Sequence, residues 1–156
     1  LSEPVAYMKR TRDYYVAQGF DTAYRYAQHD DAPFTPLTKP LAQCTIGLIT
    51  TASLNERPPL TPREVESAST LTPPKRLHTN DLSWDKEATH TDDINSFCPI
   101  DPLKKLVDDG RIGALAARLH CAPTEYSHRA TSEQDAPEIL RRLREDSADI
   151  ALLVPL

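Results

Sequence analysis

Histidines and carboxylates crowd one stretch of the sequence, LHTNDLSWDKEATHTDDINSF at residues 77–97. His78, Asp81, Asp85, Glu87, His90, Asp92 and Asp93 fall within sixteen residues. Imidazole nitrogens with carboxylate oxygens make a donor set for zinc, iron or manganese. The same groups can exchange protons near neutral pH, because histidine titrates there. The spacing matches no metal motif, so three readings stay open. The stretch is a metal site centred on His78 and His90, a substrate or partner pocket, or a solvated loop whose acids cap helices.

A second cluster, RLHCAPTEYSHRAT at residues 118–131, places His120, Cys121, Glu125, Tyr126, His128 and Arg129 between two core elements. It runs into a helix N-terminus, where anions are favoured. Cys121 beside His120 offers an activated thiol if the two side chains meet. The plainer reading is a loop lining a pocket. A third element, HDDAPFTPL at residues 29–37, is either a lid or a clasp that packs Phe34 and Leu37 on a sheet.

These residues need a scaffold, and the hydrophobic pattern supplies one. Val5, Met8, Arg12, Tyr15 and Val16 recur at helical spacing between Pro4 and Gly19. An extended, proline-rich arm follows. The run CTIGLIT at residues 44–50 reads as a strand buried on both faces of a parallel sheet. Residues 52–76 read as an irregular loop, and residues 77–82 as a possible short strand. Asp101 is the expected cap of a helix with Pro102 at its first position, a stripe of Leu103, Leu106 and Val107, and a stop at Gly110. Residues 112–119 fit either a strand or a helical turn. Thr131 with Gln134 and Asp135 with Glu138 are rival capping boxes for the last helix, and Pro137 favours the later one. Ile139, Leu140 and Leu143 then face the core. The run from Ile150 to Val154 reads as an interior strand.

Strand, helix and strand in this order predict an α/β fold: a right-handed parallel, Rossmann- or flavodoxin-like sheet with flanking helices and an extended N-terminal arm, incomplete at the C-terminus. Residues 1–43 form the helix and arm, and residues 44–156 the α/β domain. Ligands of such sheets bind at the carboxyl ends of the strands. The loop after Thr50 and whatever follows Leu156 are therefore the places to watch.

Composition narrows the function classes. The 156 residues carry a net charge of −5 with 26% charged side chains, a soluble globular balance that argues against a nucleic-acid partner. No apolar run nears the ~18 residues of a membrane span, and no secretory leader is visible. Leu1 in place of a starting Met implies missing residues. Cys44, Cys98 and Cys121 show no CxxC spacing and fit reduced thiols in a cytoplasmic protein. Fourteen prolines are near twice the usual ~5%, and eight lie from Pro33 to Pro74. With four glycines and no GxGxxG, P-loop or GxSxG, a nucleotide cradle of those types is not expected, and no cofactor is assigned.

Several stretches in series carry a family likeness: RTRDYYVAQGF, HDDAPFTPLTKPL, WDKEATHTDDINSFCPIDPL, DDGRIGALAARLH, PTEYSHRAT and DAPEILRRLREDSADIALLVPL. The chain resembles the selenoprotein B family of the glycine, sarcosine, betaine and D-proline reductases. It looks closest to members with cysteine in place of selenocysteine. The resemblance is weakest over residues 52–75. It implies a partner subunit whose pyruvoyl group activates the amine, and a selenolate or thiolate that attacks the α-carbon so that the C–N bond is cleaved reductively. The family's redox motif follows a strand matching Ile150 to Pro155. It would come after Leu156, so no catalytic residue carries over.

The resemblance thus implies part of a thiol- or selenol-dependent oxidoreductase acting on a small amine or amino-acid derivative, completed by a second polypeptide or by continuation of the chain. His78, Asp81, His90, Asp92, Asp93, His120, Glu125, Tyr126 and His128 are the candidate pocket residues. Two alternatives remain: a metal-dependent small-molecule enzyme built on residues 78–93, and a non-catalytic subunit that docks on another chain through a sheet edge.

Overall fold

A computed structural model describes residues 4–20, 30–33, 35–56, 64–79, 87, 90–123 and 127–156. The chain divides into two compact units, Leu1–Pro36 and Leu37–Leu156, so residues 37–43 belong with the second.

In the first unit, helix α1 spans Tyr7–Ala17, and Gly19 takes the left-handed φ of +89° that ends it. Lys9 and Asp13 pair at 2.8 Å one turn apart. Tyr15 meets both Tyr14 and Phe20 edge to face. No residue of α1 is buried, so the expected stripe from Val5 to Val16 stays exposed. Phe34 lies outside the described residues, and Leu37 is half-exposed rather than packed as a clasp.

The second unit is an α/β sheet. Its strands are β1 (Thr45–Thr50), β2 (Glu66–Ser69), β3 (Ala114–Cys121) and β4 (Ile150–Val154), in the order β2-β3-β1-β4. β3 and β4 both run parallel to β1, while β2 is antiparallel to β3. The sheet is therefore mixed and mostly parallel. β1 lies at its centre, and Ile46, Gly47, Leu48, Ile49 and Thr50 are all buried. One face holds Ile46, Leu48, Leu119 and Cys121 against Leu77, Phe97, Cys98, Ile100 and Leu103. The other holds Ile49 and Val65 against Ile139 and Leu143. A continuous apolar run is what a strand covered on both faces requires.

Helix α2 (Ile100–Asp108) begins just ahead of the expected cap. Asn95 does the capping: its Oδ1 accepts from the Asp101 N–H at 3.1 Å and its Nδ2 donates to Asp101 Oδ2 at 3.0 Å. The helix ends on Gly110, at φ +68°. The last helical stretch starts earlier than either capping box. It comprises α3 (His128–Ala130), a π-helical turn (Thr131–Asp135) and α4 (Ala136–Glu145). Ser127 caps it, accepting from the Ala130 N–H at 3.2 Å. The wide π turn sits just where Pro137 has no N–H for the ordinary ladder.

Three further expectations are corrected. β2 lies inside the loop read as irregular. Of the possible strand at residues 77–82, the described part (77–79) pairs only through His78, in an isolated bridge with Ser53, and residues 80–82 lie outside the described residues. β4 is an edge strand among the described residues: it pairs with β1 alone, and Ala151 and Leu153 on one face are exposed. Five consecutive apolar residues suggested cover on both faces, yet only Ile150, Leu152 and Val154 pack on the core.

Candidate functional site

The parallel strands β1, β3 and β4 end together, and hydrogen bonds tie their carboxyl ends into a rim. The Ala122 N–H donates to Thr50 O at 2.8 Å, and the Leu156 N–H to Thr51 Oγ1 at 2.9 Å. Thr50 is fully buried, with its hydroxyl facing the Ala52 N–H. Beyond β1, Ser53 and His78 exchange both backbone hydrogen bonds, at 2.9 and 2.8 Å. This bridge brings the first residue of the His/Asp cluster onto the rim. The Leu54 N–H donates to Glu66 Oε2 at 2.8 Å, which fastens the same loop to β2.

His78 Nδ1 is buried without a hydrogen bond and lies 3.5 Å from Glu56 Oε1. An imidazole nitrogen facing a carboxylate at this range has the geometry of an acid/base pair. His90 and Asp92 form an exposed local pair at 3.6 Å. Asp93 Oδ1 accepts from the Asn95 N–H at 3.0 Å and so caps the short turn Ile94–Ser96 that leads to α2. Asp81 and Asp85 lie outside the described residues. Among the described residues, no three His, Cys, Asp or Glu side chains converge as metal ligands do.

The second cluster divides across the sheet. Neighbouring residues of a strand point to opposite faces. Cys121 joins Leu48, Ala52 and Leu77 in one core, whereas His120 faces β2 and α4. The two therefore do not meet as a nucleophile and its base. His128 opens α3, and Glu125 and Tyr126 lie outside the described residues. Cys44, Cys98 and Cys121 are buried, with none in a disulfide, and burial pushes the Cys98 thiol up to about 11.

Sequence reasoning missed the partners of His120. Ser67 Oγ lies 2.8 Å from His120 Nδ1 and accepts from Arg142 Nη1 at 2.7 Å. Asp146 Oδ2 lies 3.5 Å from Nε2, outside hydrogen-bond geometry, and Arg118 holds the same carboxylate at 2.9 and 3.0 Å. Arginine can only donate, so the Ser67 hydroxyl proton is left to point at Nδ1. The imidazole proton then sits on Nε2, facing Asp146, which is the tautomer the charges favour. Burial, the largest influence, holds the His120 pKa below its ordinary value. Serine, histidine and aspartate are the residue types of a nucleophilic triad. Here the imidazole is completely enclosed and an arginine occupies the hydroxyl, so the network works as a tie between β2, β3 and α4. Ser67 and Asp146 lie 53 and 26 residues from His120, and only the antiparallel pairing of β2 brings Ser67 to it. No spacing rule could have found them.

The chain is 30% identical over 126 residues to the D-proline reductase subunit gamma of Acetoanaerobium sticklandii. The match takes in 77% of this chain and 52% of that subunit. The chain thus spans about half the length of the curated relative it matches. No family model and no solved structure matches it. Among the described residues, no helix is long and apolar enough to cross a membrane.

Proposed function

We propose that the chain is part of a subunit of a thiol- or selenol-dependent reductase complex that cleaves a C–N bond in a small amine or amino-acid derivative. The observation that carries this reading is the 30% identity to a D-proline reductase subunit over most of the chain. Membership of the selenoprotein B group, through a cysteine-type relative, is the finer form of the proposal, and it places the protein in the cytoplasm.

In this reading the carboxyl rim of β1, β3 and β4 is the wall of the site. A chalcogenolate from outside the three buried cysteines attacks the carbon as the C–N bond breaks, and the electrons of that bond pass to nitrogen, which leaves with a proton; a thiol then attacks the carbon-bound chalcogen, the two joining as a disulfide or selenide–sulfide, while the carbon keeps the electron pair and takes a proton. His78 beside Glu56 is a described group at the rim placed to hold the proton that leaves with nitrogen. Asp81, Glu125 and Tyr126 belong to the rim's flanking segments in sequence. His120 supports the rim from behind.

Isolation of the native protein under reducing conditions, with intact-mass measurement of every chain that comes with it, tests the assignment. The expected result is a second polypeptide that reacts with a hydrazide through a pyruvoyl carbonyl. A preparation that stays monomeric and brings no carbonyl-bearing chain contradicts it.

A further inference from the structure

The Ser67–His120 contact does more than fill a core. β2 is four residues long and, among the described residues, lies at the sheet edge and pairs only with β3. Ser67 joins it to His120 of β3 and Arg142 of α4. The residue before it, Glu66, accepts from the Leu54 N–H, and Leu54 follows the Ser53 that bridges to His78. A continuous series of bonds thus leads from the buried imidazole to the loop that carries His78.

We infer that Ser67, His120 and Arg142 form a proton-controlled latch, which fastens β2 and the loop after β1 behind the candidate rim while His120 is neutral and lets them go when it takes a second proton. With His120 neutral, Arg142 donates to Ser67 Oγ and Ser67 donates to Nδ1, while the Nε2 proton faces Asp146 without a hydrogen bond. A proton on Nδ1 takes that acceptor away from the Ser67 hydroxyl and aims two cations at one oxygen. Asp146, 3.5 Å from Nε2, favours the added proton and offsets this only in part. From β3, Arg118 faces the site; from α4, Arg142; from the turn after α4, Asp146. Asp146 is already held by Arg118, Arg118 is also paired with Glu145 at 3.2 Å, and Arg142 with Glu138 at 2.7 Å. β1 contributes Ile49 opposite His120, which carries no charge. The latch stands on this geometry alone and holds whatever substrate the rim takes.

Thr70 gives the release a boundary. Its Oγ1 donates to Ala116 O at 2.6 Å and its N–H to Ala117 O at 2.9 Å, and neither bond titrates. The far end of β2 therefore stays attached while the Glu66 end, nearest the rim, opens.

Amide hydrogen exchange on the full-length protein between about pH 8 and about pH 5, corrected for intrinsic rates, tests this. The expected result is that protection of β2 and of Leu54 falls about tenfold or more towards the acid end, while β1 stays protected. His120→Gln removes the titration and flattens that profile. Ser67→Ala, which serves if the first variant does not fold, lowers β2 protection already at about pH 8 and leaves little further change. The latch is overturned if wild-type β2 protection does not change with pH, if β1 opens in parallel, or if either variant keeps the wild-type pH dependence.

Discussion

His120 and Cys121 are neighbours on β3 and lie on opposite faces of the sheet, one against Ser67 and the other in the core beside Leu48. That single alternation removes the activated thiol the sequence suggested. A reactive chalcogen for the proposed chemistry therefore has to come from outside these three cysteines.

The first prediction follows from that burial. Under native conditions at about pH 7.5, iodoacetamide leaves Cys44, Cys98 and Cys121 unmodified for hours, and all three react once the chain is unfolded. A thiolate forms rarely when burial raises the Cys98 pKa to about 11. Peptide mapping of the alkylated protein reads the result, and rapid native labelling of any of the three contradicts the packing.

Gly47 is the second test. A Cβ there meets the Leu143 side chain and lies 3.2 Å from the Ala148 Cβ, so α4 rests directly on the β1 backbone. Gly47→Ala is expected to destabilise the fold by about 1–3 kcal/mol through overpacking. Leu143→Ala in the same chain should recover part of that loss, because the two sites share one space. Gly113→Ala is expected to be at least as severe, since its Cβ meets the backbone of Gln43 at 2.6 Å and Cys44 at 2.9 Å. Denaturant melts of the three variants give the comparison.

Centre and edge of the sheet should separate cleanly in mutational cost. Leu48→Ala in β1 is expected to cost about 2–5 kcal/mol. Leu153→Ala in β4, at 58% exposed, is expected to stay within about 0.5 kcal/mol of wild type in this chain. Equal losses at both positions contradict β4 as an edge.

This contrast shows how far the sequence could be read. β1, α2, the last helix and β4 are legible because each carries a dense periodic signal or a strong end signal, such as Gly110. β2 is illegible: Glu66, Ser67, Ala68 and Ser69 have no apolar alternation, and they form a strand only because β3 offers an edge to pair with. The ambiguous residues 112–119 resolve as strand for a related reason, through pairing with β1. The rim position of His78 depends on a bridge to Ser53, 25 residues away, and the His120 network depends on the fold as a whole. Types of residue were visible; which of them meet was not.

Acid stability supplies the fourth prediction. Hydrogen bonds from Arg141, and then Arg142, hold the Glu138 carboxyl down to about 2. A depressed acid contributes stability above its unfolded value, near 4.5, that is lost as pH falls towards about 2. Asp149 behaves alike: Lys39 first, and then the Thr45 N–H, hold it low. His120 acts in a higher window. Its folded pKa is lowered, so its contribution is complete above about 6.5 and declines as pH falls below that. The chain should therefore lose stability in two steps on acidification, with Glu138→Gln flattening the lower one and His120→Gln the upper. Melts recorded from about pH 8 to about pH 2.5 distinguish this from a single transition.

The measurement closest to the central claim is turnover. The native complex, supplied with a dithiol donor, is incubated with isotopically labelled D-proline, glycine, sarcosine and betaine, and products are identified by mass. Reductive C–N cleavage predicts 5-aminopentanoate from D-proline, or release of the amine from one of the others, with one dithiol oxidised per bond broken. An intact complex that binds its partner chain and converts none of the four, with no dithiol consumed, contradicts the proposed function.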